Sequence, residues 1–187
     1  MTEVIGRRER KKAQTRQALA DAALALFLER GYDQVGVKEI ADAADVSVTT
    51  LFKHFPSKEA LVFDQDDDIE AALVQAVRGR PPAHTIPDAL REHMLRDSAD
   101  GGPSDEFIRL IESTPTLRDY ARSMWMRHET ALARAIAEET GAPEGDIACA
   151  SLARFALASR ELILAHPDRR RAAEEIFARL ERGWRTE

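Results

Sequence analysis

The chain has 187 residues and a formal net charge of -6, and its 44% hydrophobic fraction is enough for one large domain or two small ones with a buried core. Strong helix formers dominate and aromatic residues make up only 6%, so the composition favours helices over strands. No apolar run is long enough for a membrane span, the start lacks an apolar signal segment, and the single Cys149 excludes an internal disulfide. We therefore expect an all-α protein that resides in the cytoplasm and does not enter a membrane.

The charge is unevenly distributed along the chain. Residues 1–63 carry 10 Lys/Arg against 9 Asp/Glu, whereas residues 64–187 carry the other 17 Lys/Arg against 24 Asp/Glu. A basic arm, residues 1–12, begins the first segment. This asymmetry is typical of a DNA-binding head joined to a body that does not bind DNA. We predict a head at residues 1–63 and a body at residues 64–187.

The head sequence predicts compact helices. An apolar stripe that includes Leu19 predicts a first helix from near Glu9 to Gly31. A shorter apolar pattern at 37–44 predicts a second helix, followed by a tight turn at Asp45.

The next two helices are predicted from capping residues. Ser47 is a suitable N-cap for a third helix, which Pro56 ends. Ser57 is expected to cap a fourth helix that continues through Val77.

The body predicts five further helices, separated by breaks rich in proline and glycine. They are expected at 87–95, 105–111, 115–140 and 146–165, and from Asp168 to about Trp184. The fold prediction is therefore all-α with about nine helices: an N-terminal helix-turn-helix head and a C-terminal body for ligand binding and dimerisation.

The second and third predicted helices form a helix-turn-helix unit, whose second helix enters the major groove. Side chains there must be small enough to approach base edges and able to form hydrogen bonds or touch a thymine methyl group. Other side chains neutralise phosphates and fix the register. The residues suited to base edges are Ser47, Val48, Thr49 and Thr50, and those suited to phosphates are Lys53, His54 and Lys58.

The stretch "ALALFLERGYDQVGVKEIADAADVSVTTLFKHFPSKEAL" resembles the DNA-binding domain of the TetR family of bacterial regulators. The order FxxxGY, then IA, then VSxxTLFxHFxSKEAL carries the resemblance, which covers about residues 10–63. The body matches only in its layout of helices, and its acidic run and Arg/Asp-rich end resemble the actinobacterial branch.

The resemblance implies a role for individual residues. Lys38 would reach the DNA from the second helix. The residues implied to face bases are Val48, Thr49 and Phe52, and those implied to meet mainly phosphates are Thr50, Lys53, His54 and Lys58.

The sequence departs from the family pattern at three positions. Gly36 stands where the family often has a capping Thr, Asp45 where many members have a glycine, and Phe52 where Tyr is common. These changes remove two hydroxyl groups and add a negative charge next to the expected DNA surface.

Dimerisation and effector binding are expected in the body. Operator half-sites match a protein two-fold axis, and in this family the last two helices commonly form the dimer interface. The interface residues expected by position are Ile147, Ala150, Ala153, Ala156, Leu157, Ile176, Phe177 and Leu180, with the chain's own core as the alternative for each.

The middle helices are expected to enclose a pocket for an unknown small-molecule effector, because pockets are mostly apolar with a few placed polar groups. The candidate lining residues are Met94, Phe107, Ile111, Tyr120, Met124, Trp125, His128 and Phe155. Methionine and aromatic residues at helical spacing are also typical of an ordinary core, which remains the alternative for each of them.

The sequence lacks a phosphate-binding glycine loop, a nucleophile elbow and metal-ligand spacings. We therefore expect no catalytic residue, cofactor or metal. The predicted function is a homodimeric regulator, more specifically a repressor, that binds a palindromic double-stranded DNA operator and is released by an effector. The alternative is a helical adaptor whose head binds protein, which a weak salt dependence of duplex binding would indicate.

Overall fold

The computed structural model describes residues 6–99 and 103–182, which contain nine α-helices. Residues 1–5 of the predicted arm, residues 100–102 of the predicted break and the helix end expected at Trp184 lie outside this part of the chain. The helices are α1 (Arg7–Arg30), α2 (Val37–Ala43), α3 (Val48–His54), α4 (Asp66–Arg78), α5 (Ile86–Ala99), α6 (Asp105–Ser113), α7 (Pro115–Thr140), α8 (Ile147–Ala165) and α9 (Arg169–Arg182). The all-α prediction is confirmed.

The chain forms two compact units. The first contains the described residues up to Asp64 together with Asp105–Ala121, and the second contains Gln65–Ser104 and the described residues from Arg122 onwards. The first unit therefore includes α6 and the start of α7, which the sequence analysis assigned to the body.

The core of the first unit explains this difference. Leu19 and Phe27 of α1 are almost completely buried, as is Leu51 of α3. Leu110 of α6 and Leu117 of α7 belong to the same buried cluster. Each such side chain contributes about 1.5–3 kcal/mol to folding through removal from water, so α6 is part of what holds this unit together.

The second unit has its own core, made by α4, α5, the remainder of α7, α8 and α9. Leu90, Leu132, Ala153 and Phe177 are among its most buried side chains. None of the helices described is long and apolar enough to cross a membrane.

The fourth helix begins later than the sequence predicts. Ser57 does accept a hydrogen bond from the Ala60 N–H, but it initiates only a short 3-10 turn at Glu59–Leu61. The regular helix starts at Asp66, with three acidic residues in its first turn, where they complement the helix dipole.

Candidate DNA-binding surface

The turn between α2 and α3 is closed by the chain's own backbone. The Val46 N–H donates to the Ala41 carbonyl at 2.9 Å, and the Asp45 N–H donates to the Asp42 carbonyl at 3.2 Å. These two bonds form a Schellman motif, which requires a left-handed residue at the position of Asp45. Its φ of 52° shows that Asp45 adopts this conformation, which glycine adopts more readily.

Ser47 caps α3 as the sequence predicts. Its Oγ accepts a hydrogen bond from the Thr50 N–H at 3.1 Å and lies 2.9 Å from Thr50 Oγ1. Both hydroxyl groups thus stabilise the start of the helix. Val48 is half-buried and packs against the core of the first unit, so three of the four predicted base-reading residues have roles within the fold.

Three residues of α3 point outward on one face. Thr49, Phe52 and Lys53 are spaced at i, i+3 and i+4 and are exposed, with Phe52 48% accessible. An exposed aromatic ring flanked by a hydroxyl group and a cation is unusual for a solvated face. This trio offers an apolar surface for base edges and a charge for phosphate.

The residues that surround this face differ in how far their side chains are already engaged by partners within the fold. Lys38 on α2 is exposed and pairs with Asp42 at 2.9 Å, an exposed i,i+4 pair of the kind that contributes little to stability. Glu39 accepts hydrogen bonds from the Gly36 N–H at 2.8 Å and from Arg30 at 2.8 Å, and these bonds lower its pKa. Glu39 thereby satisfies the N–H of Gly36, the N-cap residue, whereas the hydroxyl group of a capping Thr would accept from an N–H within the first turn of α2.

Lys58 points towards the core of the first unit. Its Nζ donates to the Tyr32 carbonyl at 2.6 Å and lies 3.9 Å from the centre of the Tyr32 ring. Burial lowers the pKa of Lys58. Its ammonium group thus has a carbonyl and an aromatic ring as partners in the fold, and its role as a phosphate contact stays a prediction.

His54 ends α3 beside α1. Arg16 of α1 donates to the His54 carbonyl at 2.9 Å and to the Asp64 carbonyl at 2.7 Å, and its guanidinium lies 4.3 Å from the centre of the Phe55 ring. Burial lowers the pKa of His54, and the charges of Lys12 and Arg16 lower it further. No sequence pattern marks Arg16, because its partners are backbone carbonyls distant along the chain.

The predicted effector residues divide between the two units. Within the first unit, the Phe63 ring stacks on Tyr120 at 5.2 Å and meets Phe107 edge-on at 6.4 Å, and Ile111 packs against the same core. The other candidates belong to the second unit, where Met94, Met124 and His128 are buried, Trp125 is half-buried and Phe155 is exposed. Phe155 thus lies at the surface of the second unit, and its place in an effector pocket stays a prediction.

The second unit contains a buried polar contact. His128 is fully buried, and its Nε2 lies 2.6 Å from Oδ1 of Asp66, the first residue of α4. Arg127 donates to the other carboxylate oxygen at 2.6 Å. The His128 Nδ1 is buried and has no hydrogen-bond partner among the residues that the structure describes, and the Trp125 ring meets the imidazole edge-on at 5.1 Å.

The predicted interface residues also separate into two groups. Ala153, Ala156 and Phe177 are buried within the second unit's own core, so the core alternative applies to them. Ile147 is 78% exposed, while the remaining four are half-buried: Ala150, Leu157, Ile176 and Leu180. Two exposed α8 residues that the interface prediction omitted, Phe155 and Leu162, are 55% and 64% accessible.

Comparison with known proteins agrees with these features. Residues 19–64 match the family model for bacterial regulatory proteins of the tetR family. Over 147 residues the chain is 35% identical to the HTH-type transcriptional regulator TcmR of Streptomyces glaucescens, a match that covers 73% of this chain and 65% of that regulator. The chain thus spans slightly less than two thirds of the length of TcmR.

Two solved structures share the fold. NalD, the secondary repressor of the MexAB-OprM multidrug efflux pump in Pseudomonas aeruginosa, superimposes with a TM-score of 0.62 at 21% identity over 93% of this chain and 97% of NalD. FadR of Thermus thermophilus, a TetR-family repressor in complex with lauroyl-CoA, gives 0.56 at 23% identity over 92% and 96%. The helix-turn-helix motif and the family-model match together identify residues 19–64 as a DNA-binding domain of the TetR family, and the described chain has the fold that these repressors share.

Proposed function

We propose that this protein is a transcriptional repressor that binds a palindromic DNA operator as a homodimer and leaves it when a small molecule binds. The observation that carries the proposal is the exposed face of Thr49, Phe52 and Lys53 on the helix that follows a Schellman turn. A second helix of this kind presents its outer side chains to the major groove.

The proposed contacts follow from the geometry of α3. Thr49 and Phe52 are the base-reading pair, because they are exposed and carry no charge. Lys53 and Lys38 are the phosphate-contacting side chains, because both are exposed cations. Such contacts are expected to divide into those that set sequence preference and those that set salt dependence.

The proposed dimer uses the outer face of α8. At 100° per residue, Ile147, Phe155 and Leu162 fall within an arc of about 80°, and all three are more than half exposed. Large apolar side chains aligned on one helix face are typical of a protein interface. A second copy of the chain fits this face because the operator's two-fold symmetry requires one.

Release by an effector would be a population shift. The two heads of the dimer must match half-sites spaced about 34–36 Å apart. A ligand that binds more tightly to a conformation in which the heads do not match this spacing would release the dimer from the DNA. Two relatives support an effector-responsive repressor over an enzyme: FadR is a repressor in complex with lauroyl-CoA, and TcmR is named a transcriptional regulator. The single cysteine, Cys149, is a buried free thiol, which supports localisation in the cytoplasm.

The experiment that tests the proposal selects bound sequences from a random duplex pool and titrates the winner at several salt concentrations. We expect a palindromic sequence and a steep salt slope, because each neutralised phosphate contributes about -0.9 to the slope of log K against log salt. Thr49→Ala should change the selected sequence and leave the slope unaltered, whereas Lys53→Gln should lower the slope.

The proposal is contradicted if the selection enriches no DNA sequence and duplex binding does not depend on the salt concentration. The exposed Phe52 would then indicate a protein-binding head, as in the adaptor alternative.

A further inference from the structure

The first three turns of α1 carry an unusual charge pattern. Arg7, Arg8, Arg10, Lys11 and Lys12 are all exposed, against a single acidic residue, Glu9. We call these five side chains the α1 basic cluster. Residues 6–14 are exposed on every side, and the first buried residue of the helix is Leu19. No packed apolar face therefore stabilises this part of the helix.

The cluster is unfavourable for the helix in the absence of a partner. Cations at a helix N-terminus oppose the macrodipole. Arg7 with Lys11 and Arg8 with Lys12 are like-charged pairs at i,i+4. Each such pair destabilises a helix by about 0.2–0.5 kcal/mol. An anion bound along this segment would relieve both effects.

The part of the protein that the structure describes supplies no such anion. None of the five side chains forms a hydrogen bond or an ion pair with a described residue, whereas Arg170 and Arg171 of α9 pair with Glu174 and Glu175 at 3.1 and 3.0 Å. The cluster's charges are thus available to a partner.

The cluster lies on the same side of the first unit as the end of α3. Arg16 fixes α1 to the His54 carbonyl at 2.9 Å. Lys12 is one turn earlier on the same face and lies close enough to His54 for its charge to lower the imidazole pKa. Arg8 is two turns earlier, so Arg8, Lys12 and Arg16 form a stripe about 12 Å long that begins beside the recognition helix.

We infer that the α1 basic cluster is a second DNA-contacting surface, in which Arg8 and Lys12 bind backbone phosphates beside the groove that α3 occupies. Arg8 and Lys12 are about 6 Å apart along the axis of α1, so their side chains can contact neighbouring phosphates of one strand. The contact is independent of sequence, because guanidinium and ammonium groups on phosphates do not distinguish bases. This inference rests on the proposed function, since it extends the surface through which the head binds its operator.

The test compares two double variants with the wild type on the selected duplex. Arg8→Gln with Lys12→Gln removes two charges from the cluster and keeps residues of similar helix propensity. Arg170→Gln with Arg171→Gln removes two charges from α9 and is the matched control. Circular dichroism and thermal unfolding of each variant show whether the fold is retained, and relief of like-charge repulsion should leave the first variant at least as stable as the wild type.

We expect the cluster variant to lower the salt slope by about 3.6, because each of the two protomers loses two phosphate contacts, so that the wild type loses on the order of a hundredfold more affinity than the variant between about 50 and 200 mM salt. The α9 control should keep the wild-type slope. A folded cluster variant with the wild-type slope overturns this inference and leaves the proposed function standing. A wild type that binds no duplex overturns the proposed function, and this inference with it.

Discussion

Lys58 and Tyr32 join the segment after α3 to the segment after α1. The Lys58 Nζ donates to the Tyr32 carbonyl at 2.6 Å and lies over the Tyr32 ring, while the Tyr32 hydroxyl donates to Glu59 at 2.7 Å. Burial, followed by the hydrogen bond to Glu59, raises the pKa of Tyr32, so its hydroxyl remains a donor. Lys58 therefore has a stabilising role in the head besides the phosphate contact that the sequence predicts.

This arrangement predicts different outcomes for two lysines. Lys58→Met should reduce the free energy of unfolding by about 1–2 kcal/mol, because it removes a charged hydrogen bond and a cation–π contact. Lys53→Gln, at an exposed position, should leave stability unchanged and lower the salt slope of DNA binding by about 1.8, one phosphate contact in each protomer. Urea unfolding and binding titrations measure the two effects. A normal stability and a reduced salt slope in Lys58→Met would instead assign Lys58 to the phosphate contacts.

Substitution of Asp45 by a neutral residue is expected to increase the affinity for DNA. Its side chain is exposed at the turn before α3, and its backbone is left-handed with a φ of 52°. Asp45→Asn keeps a residue that tolerates this conformation and removes a negative charge that would repel phosphates. We expect tighter binding to every duplex with no change in stability, measured at low salt and again at high salt, where the gain should diminish. A change of sequence preference would instead place Asp45 against a base.

The lowered pKa of His54 is expected to make the free energy of unfolding depend on pH. Its pKa in the fold lies below the ordinary value of 6.5 because burial, Lys12 and Arg16 disfavour the imidazolium. The unfolded chain therefore binds a proton more readily, so the contribution of neutral His54 is fully present above about pH 6.5 and is lost as the pH falls below that value. His54→Gln should flatten the loss of stability between about pH 6.5 and 5.

The same pKa tests the position of Lys12. Lys12→Gln should raise the pKa of His54 towards 6.5 without reaching it, since burial is the largest cause of its depression. Titration of the His54 ring protons by NMR measures the change, and Arg170→Gln is the control that should leave it unaltered. An unchanged His54 pKa in Lys12→Gln would separate α1's basic cluster from the end of α3.

The buried pair of His128 and Asp66 predicts a coupling between α7 and the start of α4. Asp66→Ala should reduce the free energy of unfolding by about 1–3 kcal/mol, because it leaves the fully buried imidazole without a partner on either nitrogen. In a His128→Phe background the same Asp66→Ala change should cost much less. A double-mutant cycle by urea unfolding measures the difference, and equal costs in both backgrounds would show that the pair is not coupled.

The exposed face of α8 predicts the oligomeric state. Phe155→Glu with Leu162→Glu should convert the proposed dimer into monomers, because two charges would be buried at the proposed interface without partners. Leu28→Glu, at a 40% exposed residue of α1, is the control that should remain dimeric. Sedimentation velocity over a range of concentrations measures the change. If both variants sediment alike, α8 does not form the interface.

The sequence by itself determined the recognition unit and most of the helix boundaries, with the start of α4 as an exception. α7 begins at Pro115 and ends at Thr140, before Gly141, as predicted, and Ser47 and Asp146 cap α3 and α8. These boundaries depend on residues within a few positions of each helix end, so local chemistry is enough to locate them.

Tertiary structure decided which faces are covered and which polar groups are in use. Spacing placed Phe155 and Ala156 on a helix, but only packing shows that Ala156 is buried and Phe155 is exposed. The partners of Lys58 and Arg16 are backbone carbonyls, which no sequence pattern marks. Periodicity identifies an apolar face, whereas the element that covers it depends on contacts distant along the chain, as with Leu110 in the core of the first unit.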